Sequence, residues 1–527
     1  MSSTQHILDE SQRRRTFAII SHPDAGKTTL TEKFLLYSGA VKEAGSVKAR
    51  RGRKTARSDW MDLEQQRGIS ITSSALQFEY DLDIVNLLDT PGHRDFSEDT
   101  YRVLAAVDAA VMVLDAAKGI EPQTLKLFEV CRQRNIPLLT FINKFDRPGL
   151  EALELLDNIE KHIGLHATPL NWPVGIAGDF RGVVDRETRI MTQFKRTARG
   201  ATEAGEVFLT SEEAAVAEQD VWPNTLEELE LLDEIEANFD LKRFLAGEDS
   251  PVFFGSALTN FGVRSLLDAV VDLAPSPSPR EDASGQLREL DQPFSAFVFK
   301  VQANMDKAHR DRIAFLRVCS GEFERGMVVE HARTGRSLAT KYAQKVFADD
   351  RATIDRAYPG DVIGLVNAAE LRIGDTVFLD DPVEFRRIPR FSPELFKTIR
   401  AKDSGRFKQF RRGLEQLDEE GAIQVLRDPT QMDPVPLLGA VGVLQFEVAE
   451  FRLTEEFGVA VELGSTRFTV ARRTDAESAE ELTGFPAVRV VERSDGLLLA
   501  LFENELWLYR LQEDRPGLLL ESVLQDN

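Results

Sequence analysis

The chain lacks the features by which secreted, membrane-spanning and disulfide-rich proteins are recognised. It has only two cysteines in 527 residues, Cys131 and Cys319, which lie far apart in sequence and fit no metal-binding spacing. This pattern favours a protein of the reducing cytoplasm. No apolar run approaches the roughly 20 residues that a membrane span needs, and no signal peptide is recognisable. We therefore expect no membrane partner.

Positive charge is also scarce. The chain has 65 Lys and Arg residues against 87 Asp and Glu, a net charge of −22, which argues against a protein coated in basic surface, and we expect no DNA partner. The charge is unevenly distributed: residues 42–57 and 397–412 each contain seven basic residues, whereas residues 203–249 contain fifteen acidic ones. Basic runs are usually solvated faces. Whether the run at 397–412 contacts RNA or an acidic protein stays open.

A phosphate-binding loop is indicated near the N-terminus. Residues 16–20 have the composition of a buried strand, and residues 29–38 have apolar side chains at helical spacing. The segment between them comprises Ser21, His22, Pro23, Asp24, Ala25, Gly26, Lys27 and Thr28. In such a loop backbone N–H groups meet phosphate oxygens, Lys27 neutralises the β and γ charge, and the Thr28 hydroxyl can bind Mg²⁺. Ser21 stands where glycine usually begins the loop, and it adds a Cβ to the turn.

Three further polar segments follow strands that the sequence predicts. They are Asp89, Thr90, Pro91, Gly92 and His93 after the strand at 83–88; Asn143, Lys144 and Asp146 after the strand at 137–142; and Ser256, Ala257 and Leu258 after the strand at 252–254. Asp89 can reach Mg²⁺ through water, and the Gly92 N–H can meet a γ-phosphate. Asp146 can accept two hydrogen bonds from guanine N1–H and N2, which adenine does not supply, and the backbone at 256–258 can contact the base oxygen. Four such motifs in this order predict a GTP- or GDP-binding domain with Mg²⁺; an accidental set of polar strand ends is the alternative.

Composition and the spacing of apolar residues divide the chain into three predicted domains. We predict an α/β P-loop GTPase domain at residues 10–278 with an acidic insertion at about 175–250, a β-barrel domain at 279–389, and a small α+β domain at 390–527. Pro275–Pro279 marks the first boundary as a stiff linker. Within the insertion the apolar spacing predicts one amphipathic helix from Thr225 to Ala246.

These motifs resemble those of the translational GTPases, the ribosome-dependent elongation, initiation and release factors. The sequence Asp-Thr-Pro-Gly-His at 89–93, with His in the last place, is typical of that superfamily. The longer strings at 15–29, 58–62 and 66–72 are similar to the bacterial peptide chain release factor three family, and the resemblance runs over nearly the whole chain. It implies a GTPase whose slow intrinsic hydrolysis is strongly stimulated by the ribosome.

The resemblance also implies Mg²⁺ ligands. Ser70 stands where the elongation factors carry Thr, and its hydroxyl would complete a Mg²⁺ shell with Thr28 and Asp89 when the γ-phosphate is present. Thr72 remains the competing ligand. The segment that contains these hydroxyls is expected to act as a switch, ordered by the triphosphate and released on hydrolysis.

A catalytic role is implied for His93, which would orient the attacking water. Pro23 and Ile69 match an apolar gate that keeps this histidine away until the ribosome intervenes. The alternative is a structural histidine that caps its own turn.

The release factor three family implies a helper GTPase that remodels the terminating ribosome and ejects the class I release factor. No Gly-Gly-Gln tripeptide occurs, so this chain is not expected to hydrolyse peptidyl-tRNA itself. Translocases of the superfamily carry further domains, whereas three are predicted here. The alternatives are a translocase-like elongation GTPase, a ribosome-independent GTP-binding regulator and a P-loop ATPase. We expect a cytoplasmic monomer whose partners are the ribosome, through rRNA and ribosomal proteins, and class I release factors.

Overall fold

The computed structural model describes most of the chain: residues 3–40, 74–91, 93–195, 202–203, 205–235, 238–303, 312–345, 353–366, 368–430 and 435–522. Several predicted features lie outside these ranges, namely the basic run at 42–57, Ile69, Ser70, Thr72 and Gly92.

Strands and helices alternate through the first part of the chain, as predicted. They are α1 (Ser3–Gln12), β1 (Arg14–Ser21), α2 (Lys27–Tyr37), β2 (Ser74–Tyr80), β3 (Asp83–Asp89), α3 (Ser97–Leu104), β4 (Ala109–Asp115), α4 (Pro122–Gln133), β5 (Leu138–Asn143), α5 (Ala152–Ile163) and β6 (His166–Pro169). The strands are nearly continuous apolar runs, and β4 is buried at every position. This is the pattern of a parallel sheet that is covered on both faces.

The acidic insertion forms its own small sheet and a set of helices. Its elements are β7 (Asn171–Ile176), β8 (Asp179–Asp185), β9 (Met191–Lys195), β10 (Gly205–Leu209), α6 (Ser211–Ala217), α7 (Trp222–Glu234) and α8 (Leu241–Leu245). The four strands are antiparallel in the order β10-β9-β8-β7. The sequence did not predict these strands, because they are short and interrupted by turns.

The predicted single helix from Thr225 to Ala246 is wrong. The structure has two helices, and Asp240 caps the second by accepting a hydrogen bond from the Lys242 N–H at 2.8 Å. The two helices pack into different hydrophobic clusters: Leu229 joins one and Phe244 the other. One straight helix therefore does not serve both clusters.

The chain then returns to the first sheet through β11 (Asp249–Phe254) and α9 (Val263–Leu273). The strand order is β2-β3-β1-β4-β5-β11-β6, in which β2 is antiparallel to β3 and the other neighbours are parallel. Alternate residues of β1 enter separate clusters, Phe17 and Ile19 on one face and Ala18 and Ile20 on the other. All four predicted motifs follow parallel strands of this sheet, so they meet at one edge.

The second domain is built almost entirely of antiparallel strands. They are β12 (Arg280–Glu281), β13 (Leu287–Arg288), β14 (Ser295–Ala303), β15 (Arg312–Ser320), β16 (Phe323–Glu324), β17 (Val328–His331), β18 (Arg336–Ala339), β19 (Ala343–Lys345), β20 (Arg356–Ala357), β21 (Val362–Val366) and β22 (Thr376–Phe378). Seven of them form one sheet in the order β18-β17-β22-β14-β15-β21-β19. One face packs on an apolar cluster that includes Phe294 and Phe323, and Phe297 and Phe299 join the large cluster that extends into the first domain. This is the β-rich module predicted for this position.

The third domain combines a sheet with helices. Its elements are β23 (Leu395–Ala401), α10 (Phe407–Glu419), β24 (Gln424–Arg427), β25 (Leu437–Ala440), α11 (Val443–Glu455), β26 (Val461–Ser465), β27 (Val470–Thr474), α12 (Ala476–Leu482), β28 (Val488–Arg493), β29 (Leu498–Phe502) and α13 (Glu505–Asp514). Its strands form one antiparallel sheet in the order β26-β23-β25-β24-β28-β29-β27. The weakly patterned end of the chain therefore belongs to this domain, and the predicted multi-domain fold class is confirmed. Among the described helices, none is long and apolar enough to cross a membrane.

The second domain is bonded to the first at the start of β1. Arg14 Nε donates to Asp361 Oδ2 at 2.8 Å, and both side chains are almost fully buried. The Thr16 hydroxyl donates to the carbonyl of Gly360 at 2.7 Å. Arg317 of the second domain reaches back to pair with Asp108 at 2.5 Å. This interface is dense, charged and buried.

Candidate nucleotide-binding site

The loop after β1 has the geometry of a phosphate cradle. Gly26 precedes α2 in the left-handed conformation, at φ = 102°. A Cβ at this position would overlap Asn143 Nδ2, so only glycine fits the backbone and the space. Ser21 is buried, and its hydroxyl donates to the carbonyl of His22 at 2.8 Å. The extra Cβ of Ser21 is thus accommodated inside the turn.

Lys27 and Asp89 lie together, which joins the first two motifs. Lys27 Nζ is 3.1 Å from Asp89 Oδ1, and the lysine is only 5% exposed. Thr28 lies beside Lys27 in the first turn of α2. The Thr90 hydroxyl donates to the carbonyl of Ile19 at 2.8 Å and so fixes the second motif to β1. A buried cation and a carboxylate next to a free helix N-terminus suit a phosphate group with its metal ion.

Asn143 links three of the four motifs. Its Nδ2 donates to the carbonyl of Ala25 at 2.7 Å, and its Oδ1 accepts from the N–H of Ala257 at 2.8 Å. Ser256 and Ala257 are fully buried, whereas Leu258 is exposed. The asparagine side chain therefore fixes the positions of the phosphate loop and the fourth motif relative to each other.

The third motif carries the group that suits a guanine base. Asp146 Oδ1 is buried and has no hydrogen-bond partner among the described residues. Such an atom is costly unless a ligand satisfies it, and guanine N1–H and N2 are donors of the right kind. Lys144 adopts φ = 65° and its Nζ donates to Asp115 Oδ2 at 2.8 Å.

Asp115, the last residue of β4, also belongs to this site, although it is not part of any of the four sequence motifs. Burial raises the pKa of this carboxyl, but hydrogen bonds from Lys144 and from the Ala117 N–H outweigh it and hold the pKa below the usual value. Asp115 thus stays ionised and fixes Lys144. Its place at the carboxyl end of a parallel strand was the available signal.

His22, in the phosphate loop, is a buried neutral histidine. Burial lowers its pKa, against the raising effect of Glu121, whose Oε2 lies 2.6 Å from His22 Nε2. This contact ties the loop to the residue that precedes α4.

His93 is 28% exposed and caps the turn that follows it. Its Nδ1 accepts a hydrogen bond from the Asp95 N–H at 3.2 Å, and its carbonyl accepts from the Phe96 N–H at 3.0 Å. These are contacts of the capping histidine considered as the alternative. The same Nδ1 also lies 3.5 Å from Asp95 Oδ1, so Asp95 contacts this ring nitrogen through both its backbone and its side chain.

The third domain docks directly on the segment after His93. Asp95 Oδ2 accepts a hydrogen bond from the N–H of Leu444 at 2.8 Å, so a residue of the first domain caps α11 of the third. A Cβ at Gly442 would overlap the Asp95 carboxylate. In α3, the Tyr101 ring meets that of Phe391 edge-on at 5.4 Å. The third domain therefore packs on the segment that directly follows the second motif.

Comparisons with known proteins assign the family. Residues 12–276 match the family described as Elongation factor Tu GTP binding domain, residues 293–379 match Elongation factor G domain 2, and residues 385–512 match Class II release factor RF3, C-terminal domain. The chain is 51% identical over 517 residues to peptide chain release factor 3 of Microcystis aeruginosa, covering 97% of this chain and 95% of that protein. The chain belongs to the peptide chain release factor 3 family. The relative from Gloeothece citriformis is also 51% identical, over 97% of this chain and 96% of its own length.

A solved structure supports the fold. A crystal structure of a protein from Thermus thermophilus superposes with a TM-score of 0.68 at 24% identity, covering 87% of this chain and 68% of that one. The predicted resemblance to translational GTPases is confirmed, and the chain is a guanine-nucleotide-binding GTPase of translation termination. The second domain matches an elongation factor module, but the third domain and the full-length relatives are those of a release factor, which favours termination over the translocase-like alternative.

Proposed function

We propose that this chain binds GTP and Mg²⁺ at the carboxyl edge of its first sheet and hydrolyses the GTP on a terminating ribosome. The hydrolysis cycle then removes class I release factors from that ribosome. The observation that carries this proposal is the convergence of the four motifs, held together by Asn143 and by the contact of Lys27 with Asp89. The protein acts as a monomer in the cytoplasm.

The phosphate end of the site is formed by Lys27, Thr28 and Asp89. Thr28 and Asp89 would hold Mg²⁺, with Ser70 or Thr72 completing its shell. The metal ion supplies charge neutralisation at the β- and γ-phosphates. Lys27 adds a second positive charge, and its burial strengthens the interaction with phosphate oxygens.

His93 positions the attacking water. With Nδ1 engaged by Asp95, Nε2 is the ring nitrogen that can contact the water. Because Asp95 also caps α11, the third domain influences where His93 lies.

Guanine selectivity rests on Asp146, and Asp146→Asn tests it. An amide at this position loses one of the two acceptors and places a donor against the guanine N2 amino group, so GDP affinity should fall about 100-fold or more. Xanthosine diphosphate, which has a carbonyl at C2, should gain affinity. The matched control is Asp157→Asn, an exposed carboxylate paired with Lys161, which should leave both affinities unchanged. Unchanged GDP affinity in Asp146→Asn would contradict the guanine assignment.

The basic run at 397–412 is proposed to contact rRNA. In and before α10 the side chains of Lys402, Lys408 and Arg412 are exposed, and phosphate contacts of this kind give salt-dependent binding. Replacing Lys408 and Arg412 together by Glu should weaken ribosome co-sedimentation and flatten its salt dependence. If only the affinity for a class I release factor fell, the run would instead bind an acidic protein.

A further inference from the structure

A cavity of about 1360 Å³ lies where the three domains meet. It is lined by Tyr101 and Arg134 of the first domain, by Arg280 and Phe297 of the second, and by side chains of the third such as Arg390. Its volume exceeds the several hundred Å³ that are typical of small-molecule pockets. It is separate from the four nucleotide motifs, none of whose described residues lines it.

Most charges in the cavity are matched. Nine arginines line it, and seven of them have a carboxylate within ion-pairing distance. The pairs are Arg333–Asp375, Arg372–Glu419, Arg386–Glu281, Arg387–Glu384, Arg390–Asp418, Arg427–Glu415 and Arg493–Asp495. For Arg134 and Arg280, the described part of the chain supplies no such partner.

The two unmatched arginines rest on aromatic rings. The Arg134 guanidinium lies 4.3 Å from the centre of the Tyr101 ring, and its Nε is buried with no hydrogen-bond partner in the described ranges. The Arg280 guanidinium lies 4.2 Å from the centre of the Phe297 ring, and its Nη2 donates to the carbonyl of Ala105 at 2.7 Å. Ring faces and a carbonyl orient these cations without neutralising them.

Positive charge is therefore concentrated around Arg134 and Arg280. Burial lowers the pKa of Arg280, Cys319 opposes this shift, and the charges of Arg317 and Arg134 lower the pKa further. Asp108 acts in the opposite direction, but its carboxylate is already bound by Arg317 at 2.5 Å. The nearby carboxylate is thus already paired with Arg317, and an additional anion would stabilise Arg134 and Arg280.

We propose that Arg134 and Arg280 form a second anion site, which takes a multiply charged phosphate group of a small molecule. Two guanidinium groups match the charge of a phosphate better than that of a single carboxylate, and their forked donors suit its oxygens. Arg280 stands at the start of the second domain and holds the carbonyl just after α3. An occupant would therefore tie α3 to the second domain.

Inorganic pyrophosphate is the probe for this site, titrated calorimetrically into protein that is saturated with GDP. The wild type should bind one equivalent, and Arg134→Gln and Arg280→Gln should each bind about tenfold more weakly. Arg386→Gln, an exposed arginine of the same cavity, should change the affinity by less than about twofold. Lys27→Ala should lose GDP affinity and keep pyrophosphate binding, which separates this site from the phosphate loop.

Absence of saturable binding to the GDP-saturated wild type would overturn the proposal. So would an equal loss in Arg386→Gln, loss of pyrophosphate binding in Lys27→Ala, or arginine-dependent binding of single-stranded RNA without pyrophosphate binding. Circular dichroism melting checks that each variant is folded. If Arg280→Gln is not, Arg134→Gln decides, because Arg280 bonds the Ala105 carbonyl across two domains, whereas Arg134 lies at the end of α4 within the first domain.

Discussion

The first domain meets its two neighbours through contacts of different kinds. The second domain is bonded to the start of β1 and to Asp108 just before β4, at the sheet edge opposite the nucleotide motifs, through buried ion pairs. The third domain is docked on the segment that follows His93, through Asp95 and α3. The first interface suits a permanent attachment. The interface with the third domain lies beside the nucleotide motifs. We therefore infer that it transmits the structural change between the GTP-bound and GDP-bound states to the third domain.

The largest effect is expected at the permanent attachment. Asp361→Ala leaves the buried Arg14 with Glu10 as its remaining carboxylate, and it also removes the acceptor for Gln77 Nε2 and for the Tyr358 N–H, each at 2.9 Å. The apparent free energy of unfolding, measured by chemical denaturation, should fall by about 3–5 kcal/mol. Asp355→Ala removes an exposed pair with Arg325 and should cost under about 1 kcal/mol. Equal losses of unfolding free energy in Asp361→Ala and Asp355→Ala would contradict the conclusion that the buried attachment contributes more than an exposed ion pair.

At the transmitting interface, Gly442→Ala should impair catalysis and should also cost about 1 kcal/mol of stability, because the cap that Asp95 provides for α11 is displaced. The backbone of Gly442 is extended, so alanine is tolerated there, but its Cβ displaces the Asp95 carboxylate. Ribosome-stimulated hydrolysis should fall about tenfold in single-turnover assays, because a small misplacement of a catalytic group is costly. GDP affinity should not change. Gly517→Ala, with open space around the new Cβ, is the control in the same domain.

Asp95 itself should give a smaller, graded effect. Asp95→Ala removes the cap of α11 and should cost about 1 kcal/mol of stability. Asp95→Asn keeps an acceptor for the Leu444 N–H and should retain most of that stability. If both variants hydrolysed GTP on ribosomes like the wild type, contact with α11 would have no part in positioning His93.

The smallest effect is expected in the reactivity of the two cysteine thiols. It distinguishes the interface with the second domain from that with the third. Burial raises the pKa of Cys131 to about 12 and also raises that of Cys319, so neither thiol should react with iodoacetamide at pH 8 in the native protein. Mass spectrometry should detect faster labelling of Cys319 in Asp361→Ala only. Labelling that depended on GDP or GTP would show that the second domain also moves.

The sequence predicted what is local and missed what depends on distant contacts. Each nucleotide motif was found because its residues follow a strand within a few positions, and the fold class followed from their order. Asp115 was missed because its role depends on Lys144, which follows another strand, and Asp95 because its partner Leu444 lies 349 residues away. The segment at 225–246 was predicted as a single helix because apolar spacing does not show into which hydrophobic cluster Phe239 and Phe244 pack.

The most direct test is GTP hydrolysis by the purified protein with and without ribosomes halted at a stop codon. We predict slow turnover alone and stimulation on the order of 100-fold or more with such ribosomes, since a single positioned donor contributes that much. His93→Ala should lose the stimulated part and keep its affinity for GDP. Equal rates with and without saturating ribosomes would contradict the central claim.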